Sequence, residues 1–159
     1  MGSACVPVDD VRMAPAPGFA PGGPSAGCSV VLVEDHPVLR RRIHGQLVAA
    51  GLDVLDSVGT AEAGRDAVLA HRPDVAVVAS HLPDGRGVDL CRSLRALLPQ
   101  LVLLLHTGVL SAVEEREALA LGVAAVIPKA IRGGELVSAV LLHAPWTRTR
   151  RSAPTRTDG

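Results

Sequence analysis

Aromatic side chains are nearly missing from this sequence: Tyr is absent, and Phe19 and Trp146 stand alone. No pair of rings can sandwich a base or a flavin, which excludes an aromatic platform for single-stranded nucleic acid. Cysteine is scarce as well. Cys5, Cys28 and Cys91 are odd in number and far apart, so they form neither a disulfide framework nor a zinc-ligand spacing and read as reduced thiols. No apolar run approaches the roughly 18–20 residues that cross a bilayer. The N-terminus lacks a basic stretch followed by an apolar one, so a secretory signal is not expected and the expected location is the cytoplasm. An excess of one charge is also lacking, because 16 Lys+Arg balance 16 Asp+Glu. That balance argues against a surface built mainly for phosphate backbones or anionic membranes. There is no HExxH, GxSxG or P-loop, and Gly85-x-Gly87 lacks the third glycine of a dinucleotide fingerprint. Lysine occurs once, as Lys129, beside fifteen arginines.

What is present suffices for one domain with a real core: 159 residues, 48% hydrophobic and 20% charged. Residues 1–28 carry five prolines and several glycines and read as a flexible, disordered leader. Residues 143–159 carry Arg148, Arg150, Arg151 and Arg156 and read as a disordered basic tail. Four charges on such a tail give only salt-sensitive, sequence-blind contact with nucleic acid, so direct DNA binding is not expected.

The middle, 29–142, alternates regularly. Short runs rich in β-branched residues or Leu lie at 29–33, 53–58, 74–79, 101–105 and 123–127, nearly continuous in hydrophobicity as in strands buried on both faces. Helical patterns lie between them. The first starts at Pro37 and stops at Gly51, and the fourth opens with the capping box Ser111-Ala-Val-Glu114 and ends before Gly122. Others fall near 61–71, 87–98 and 133–143. Five β–α units with short links predict an α/β fold, a single-domain, doubly wound, five-stranded parallel sheet. Ligands of such sheets sit at the carboxyl ends of the strands. Those ends carry Glu34 and Asp35 after the first strand, Ala79 to Gly85 after the third, His106 and Thr107 at the fourth, and Pro128 and Lys129 at the fifth. Two acids, a hydroxyl and a lysine on one rim are parts of a hard-cation and phosphoryl site.

Residues 29–142 resemble a receiver domain of a two-component response regulator. VLVEDHPVLRRRI (31–43), PDVAVVASHLPDGRGVDLCRSLR (73–95), LLLHTG (103–108) and AAVIPKA (124–130) carry the resemblance, and the first is similar to receivers that bear a helix-turn-helix output domain. It implies Glu34 and Asp35 as acids that hold Mg²⁺, Thr107 as the hydroxyl that follows the phosphoryl group, and Lys129 as its ion-pair partner. The departure lies at the centre. Counting back from Leu82-Pro83-Asp84-Gly85 puts the phosphoacceptor position at Ala79, a methyl group that cannot be phosphorylated, and Val126 stands where the family has an aromatic switch residue. The full pocket holds a net charge of about −2 and this one about −1, so Mg²⁺ is expected to bind weakly at best and no cofactor to be required. Lys129 is free to pair with Glu34 or Asp35, and opposite charges at ~4 Å gain up to ~4 kcal/mol at the effective dielectric near a surface, before desolvation.

The resemblance thus implies a stand-alone, degenerate receiver that is not an enzyme and signals independently of phosphorylation. Its partner would be a protein, a histidine kinase or another response regulator. A homodimer would use the face of the fourth helix, fifth strand and fifth helix, where Leu119, Val126, Val137 and Val140 fall. Residue 142 leaves no room for a helix-turn-helix domain, so effects on transcription would pass through another protein. Two alternatives stay open: a phosphorelay receiver modified at Ser80 or Asp84, and a remnant of a helix-turn-helix regulator. Strand alternation turns Ser80 away from Glu34 and Asp35, and Asp84 in Pro-Asp-Gly reads as a turn residue. His81 and His106 near the rim have no ligand spacing, and Arg40-Arg41-Arg42 reads as a solvated helix face.

Overall fold

The computed structural model describes residues 27–109, 111–129 and 134–145. The leader up to residue 26 and the tail from residue 146 lie outside them. The elements run β1 (Ser29–Val33), α1 (Pro37–Ala49), β2 (Asp53–Val58), α2 (Ala61–His71), β3 (Val75–Ala79), β4 (His81–Leu82), β5 (Gly85–Arg86), α3 (Gly87–Leu97), β6 (Val102–Thr107), α4 (Ala112–Ala120), β7 (Ala125–Pro128) and α5 (Gly134–His143). The expected sheet forms: β2, β1, β3, β6 and β7 pair in that order, all in parallel. Its third, fourth and fifth strands start one or two residues later than the hydrophobic runs suggest. The hairpin of β4 and β5 reads as loop in the sequence, because two-residue strands carry no periodic signal.

Local chemistry fixes the helix ends. Pro37 opens α1 while the His36 ring accepts from the Leu39 amide at 3.3 Å, and Gly51 ends the turn beyond α1 at φ 90°. The Ser111 hydroxyl accepts from the Glu114 amide, the expected N-cap of α4. At α2 the Thr60 hydroxyl accepts from Ala63 at 3.0 Å, and a second acceptor, a carboxylate, comes from elsewhere in the chain. Asp84, at the tip of the β4–β5 hairpin, accepts from the Ala61 and Glu62 amides at 2.7 and 3.0 Å. Those bonds hold the Asp84 carboxyl below its ordinary value. Asp84 therefore ties the hairpin to α2, beyond the turn role its Pro-Asp-Gly context suggests.

The two faces of the sheet bury alternate side chains of each strand. Val31, Val33, Ala76, Val78, Leu103 and Leu105 join the core with Val68, Leu90, Cys91, Leu94 and Ala118 of α2, α3 and α4. Helix α1 lies against β1 and β2, and α5 against β6 and β7, with Ile43, Leu47, Leu136 and Val140 buried. Each such large aliphatic stabilises the fold by about 1.5–3 kcal/mol relative to exposure. Cys28, at the end of the expected leader, is already buried in this core. Burial pushes the Cys91 thiol up to about 12, where it stays protonated and inert. Among the described residues no helix is long and apolar enough to cross a membrane.

Candidate functional site

Strand alternation sorts the residues at the carboxyl edge of the sheet onto two faces. Ala79 pairs with His106 and His106 with Ile127, so these three side chains share one face, and Glu34 and Lys129 reach the same side from the ends of β1 and β7. Thr107 and Pro128 take the other face with Ser80.

On the first face Glu34 is the centre. Its carboxylate is buried, 1% exposed, and accepts from Lys129 Nζ, which lies 3.1 Å from Oε1 and 3.0 Å from Oε2. The His36 amide also donates to Oε1 at 3.2 Å. His106, buried in β6, sets its Nδ1 3.7 Å from Oε2, and within these distances neither atom completes a hydrogen bond. Burial drives the Glu34 carboxyl upward, but the His106 ring facing it, the Lys129 hydrogen bond and the charge of Lys129 outweigh it. The carboxyl is held at about 2, below its ordinary 4.5. Lys129 thus takes Glu34 of its two expected partners, and Asp35 is exposed. Position 79 contributes a fully buried methyl group at the end of β3.

On the second face the Ser80 hydroxyl, 3% exposed, donates to Thr107 Oγ1 at 3.0 Å and lies 3.1 Å from His81 Nδ1. Thr107 Oγ1 donates to the Val109 carbonyl at 2.7 Å and accepts from the Val109 amide at 3.2 Å. One donor and two acceptor positions are all in use. Thr107 meets Lys129 only through the backbone, the Lys129 amide donating to its carbonyl at 2.7 Å. Among the described residues no cluster of three or more His, Cys, Asp and Glu is placed to hold a metal ion.

Two residues take places that sequence reasoning did not give them. His106 borders Glu34, which the period-2 count along β6 could have shown. Arg40, expected on a solvated face, donates to the Glu34 carbonyl at 2.8 Å and lies over Gly59, fixing the end of β1. Away from the pocket, Arg86 and Arg92 each meet Glu117 at 2.8 Å and link β5 and α3 to α4, an exposed cluster of small energetic weight. Of the residues expected on the partner face, Leu119 is 47% exposed, Val126 and Val137 are half-buried, and Val140 belongs to the core.

A five-stranded parallel sheet of order β2-β1-β3-β6-β7, with acids after β1 and a lysine after β7, is the architecture of a signal receiver. Residues 30–141 match the model of the response regulator receiver domain, and the chain belongs to that family. It is 40% identical over 112 residues to the DNA-binding transcriptional activator DevR/DosR of Mycobacterium tuberculosis, a match covering 70% of this chain. The aligned region spans about half, 52%, of that relative's length. The fold is similar to the signal receiver domain of NarL from M. tuberculosis, with a TM-score of 0.68, 27% identity, and coverage of 72% of this chain and 94% of that one. A CheY-like receiver from Methanospirillum hungatei gives a TM-score of 0.71 at 20% identity, covering 80% and 99%, and supports the fold alone. Receivers of this family relay signals to other proteins and are generally not enzymes. The relative's name carries DNA binding, so the expectation that this chain avoids DNA gains nothing from it.

Proposed function

We propose that this chain is a receiver that signals through protein contacts without accepting a phosphoryl group. The observation that carries the reading is Ala79 at the end of β3, where the family places its acceptor, beside a Lys129 bonded to Glu34. In this reading Glu34 and Asp35 are the remaining acids, Lys129 is the internal partner of Glu34, and Thr107 is a switch hydroxyl already engaged by Ser80 and Val109. The partner is a histidine kinase or another response regulator. The alternative acceptors are poorly placed. The Ser80 hydroxyl is buried against Thr107, and the Asp84 carboxylate caps α2.

Incubation with acetyl phosphate and Mg²⁺, read by intact mass, tests the proposal. No adduct on the native chain is expected. A phosphoryl adduct would overturn the reading and send the search to Ser80 and Asp84. A second reading, a remnant or part of a DNA-binding regulator, is favoured by the 40% identity to a DNA-binding activator. A DNA-bound complex formed by the native chain at physiological salt would decide for it.

Self-association is proposed through α4, β7 and α5, where Val113, Leu119 and Leu142 are 64%, 47% and 78% exposed. Leu119→Glu is expected to leave the fold intact and shift sedimentation of the native species toward monomer. A native chain that sediments as a monomer at high concentration would remove the dimer.

A further inference from the structure

Divalent cations such as Mg²⁺ need several oxygen donors and hold them at short, regular distances. The residues present do not fit that ion. The Glu34 carboxylate carries Lys129 on both oxygens, position 79 offers a methyl group, and only Asp35 of the pocket acids is exposed. The loss of an acid at position 79 is one obstacle, and the geometry at β6 supplies another. His106 Nδ1 lies 3.7 Å from Glu34 Oε2, and both atoms are buried without another hydrogen-bond partner. A ring lone pair aimed at a carboxylate lone pair would repel it in so dry a place, so the Nδ1 facing Glu34 carries its hydrogen. That N–H faces Oε2, the oxygen that completes no hydrogen bond although Lys129 Nζ also lies 3.0 Å from it.

We propose that His106 is a positioning residue that keeps a divalent cation off Glu34, so that restoring an acid at position 79 does not by itself rebuild a Mg²⁺ site. The inference rests on the reading of Ala79 as the vacated acceptor position. In it, Lys129 supplies the resident positive charge of the pocket and His106 adds a second donor beside Oε2. Alternation along β6 places the imidazole on the face of Ala79 and Glu34, while Thr107 faces the other way. An aliphatic side chain at 106, like those of Leu104 and Leu105, would take away one of the two donors beside Oε2 and leave Lys129 there. A glutamine there would keep an N–H within reach of it.

The test is Mg²⁺ titration of the full chain and its variants, read by the Mg²⁺-dependent rise in melting temperature and by calorimetry. Ala79→Asp alone is expected to bind Mg²⁺ weakly. Ala79→Asp with His106→Val is expected to bind at least about tenfold more tightly, the range carried by groups that act on a metal ligand from outside the coordination shell. Ala79→Asp with His106→Gln is expected to stay at the level of the single variant. Melting without Mg²⁺ reports folding, and His106→Leu replaces His106→Val if the smaller side chain fails to fold. Equal affinity of the single and double variants overturns the role of His106, as does tight binding by the Gln variant. A phosphoryl adduct on the native chain would instead defeat the reading of Ala79, so the two failures are told apart.

Discussion

Lys129→Ala is expected to destabilise the domain by about 3 kcal/mol at neutral pH, because removing one member of a buried ion pair leaves the other charge uncompensated. The sign with pH follows from Glu34. Its carboxyl sits at about 2 in the folded chain against an ordinary 4.5. A carboxyl depressed by folding contributes stability that is complete above its unfolded value and is lost as pH falls toward the folded one. In Lys129→Ala that depression goes, burial pushes the carboxyl upward, and the folded protein gains a proton that the native one refuses. The stability gap between native and variant is therefore widest near pH 7 and closes as pH falls through about 4.5 toward 2. Urea denaturation at a series of pH values measures it. Adding Glu34→Gln to Lys129→Ala removes the orphaned charge and is expected to recover much of the loss. A gap that does not change with pH would show that Lys129 acts through packing and not through its charge on Glu34.

Gly87→Ala is expected to cost about 3 kcal/mol and to lower the melting temperature by roughly 10 °C, through steric overlap with the backbone and not through an altered dihedral preference. A Cβ at Gly87 would overlap the Ala79 carbonyl oxygen and stand 2.9 Å from its carbon and 3.0 Å from Ser80 Cα. These are backbone atoms at the end of the central strand, and they cannot swing aside as a side-chain tip does. The Gly87 amide also donates to the Ser80 carbonyl at 2.8 Å, so the first residue of α3 is bonded where a methyl group would push it away. Gly85 is the control. Nothing lies within 4 Å of a Cβ built there, and Gly85→Ala should melt close to the native protein. Parallel melting curves of the two variants would refute the close approach of α3 to β3.

Both expectations concern the same few residues at the edge of the sheet, and together they give the pocket a physical character. Its charge is balanced from within: Lys129 against Glu34, with His106 Nδ1 3.7 Å from Oε2. Its hydroxyls are bonded to each other and to Val109. Both sets of bonds hold the edge in one arrangement, and each can be removed by a single substitution.

The sequence by itself determined the sheet, the order of helices and strands, and the residues gathered at the carboxyl edge. Runs such as Val75–Ala79 are too short and too uniformly apolar for anything but buried strands, and Pro37, Ser111, Gly51 and Gly122 mark the helix ends by rules that act within one turn. It also determined that position 79 carries a methyl group. Pairings between residues distant in the chain were decided only by the tertiary structure. Lys129 joins Glu34 across 95 positions, Arg86 and Arg92 meet Glu117, and Asp84 reaches the start of α2 from a hairpin with strands too short to show a period. Whether Lys129 took Glu34 or Asp35 depended on the turn after β1, which buries the first carboxylate and exposes the second. The place of His106 depended on register, since a shift of one residue along β6 would exchange it with Thr107 and put a hydroxyl beside Glu34. Local rules write the elements, and the choice among equally charged neighbours falls to the distances that packing alone creates.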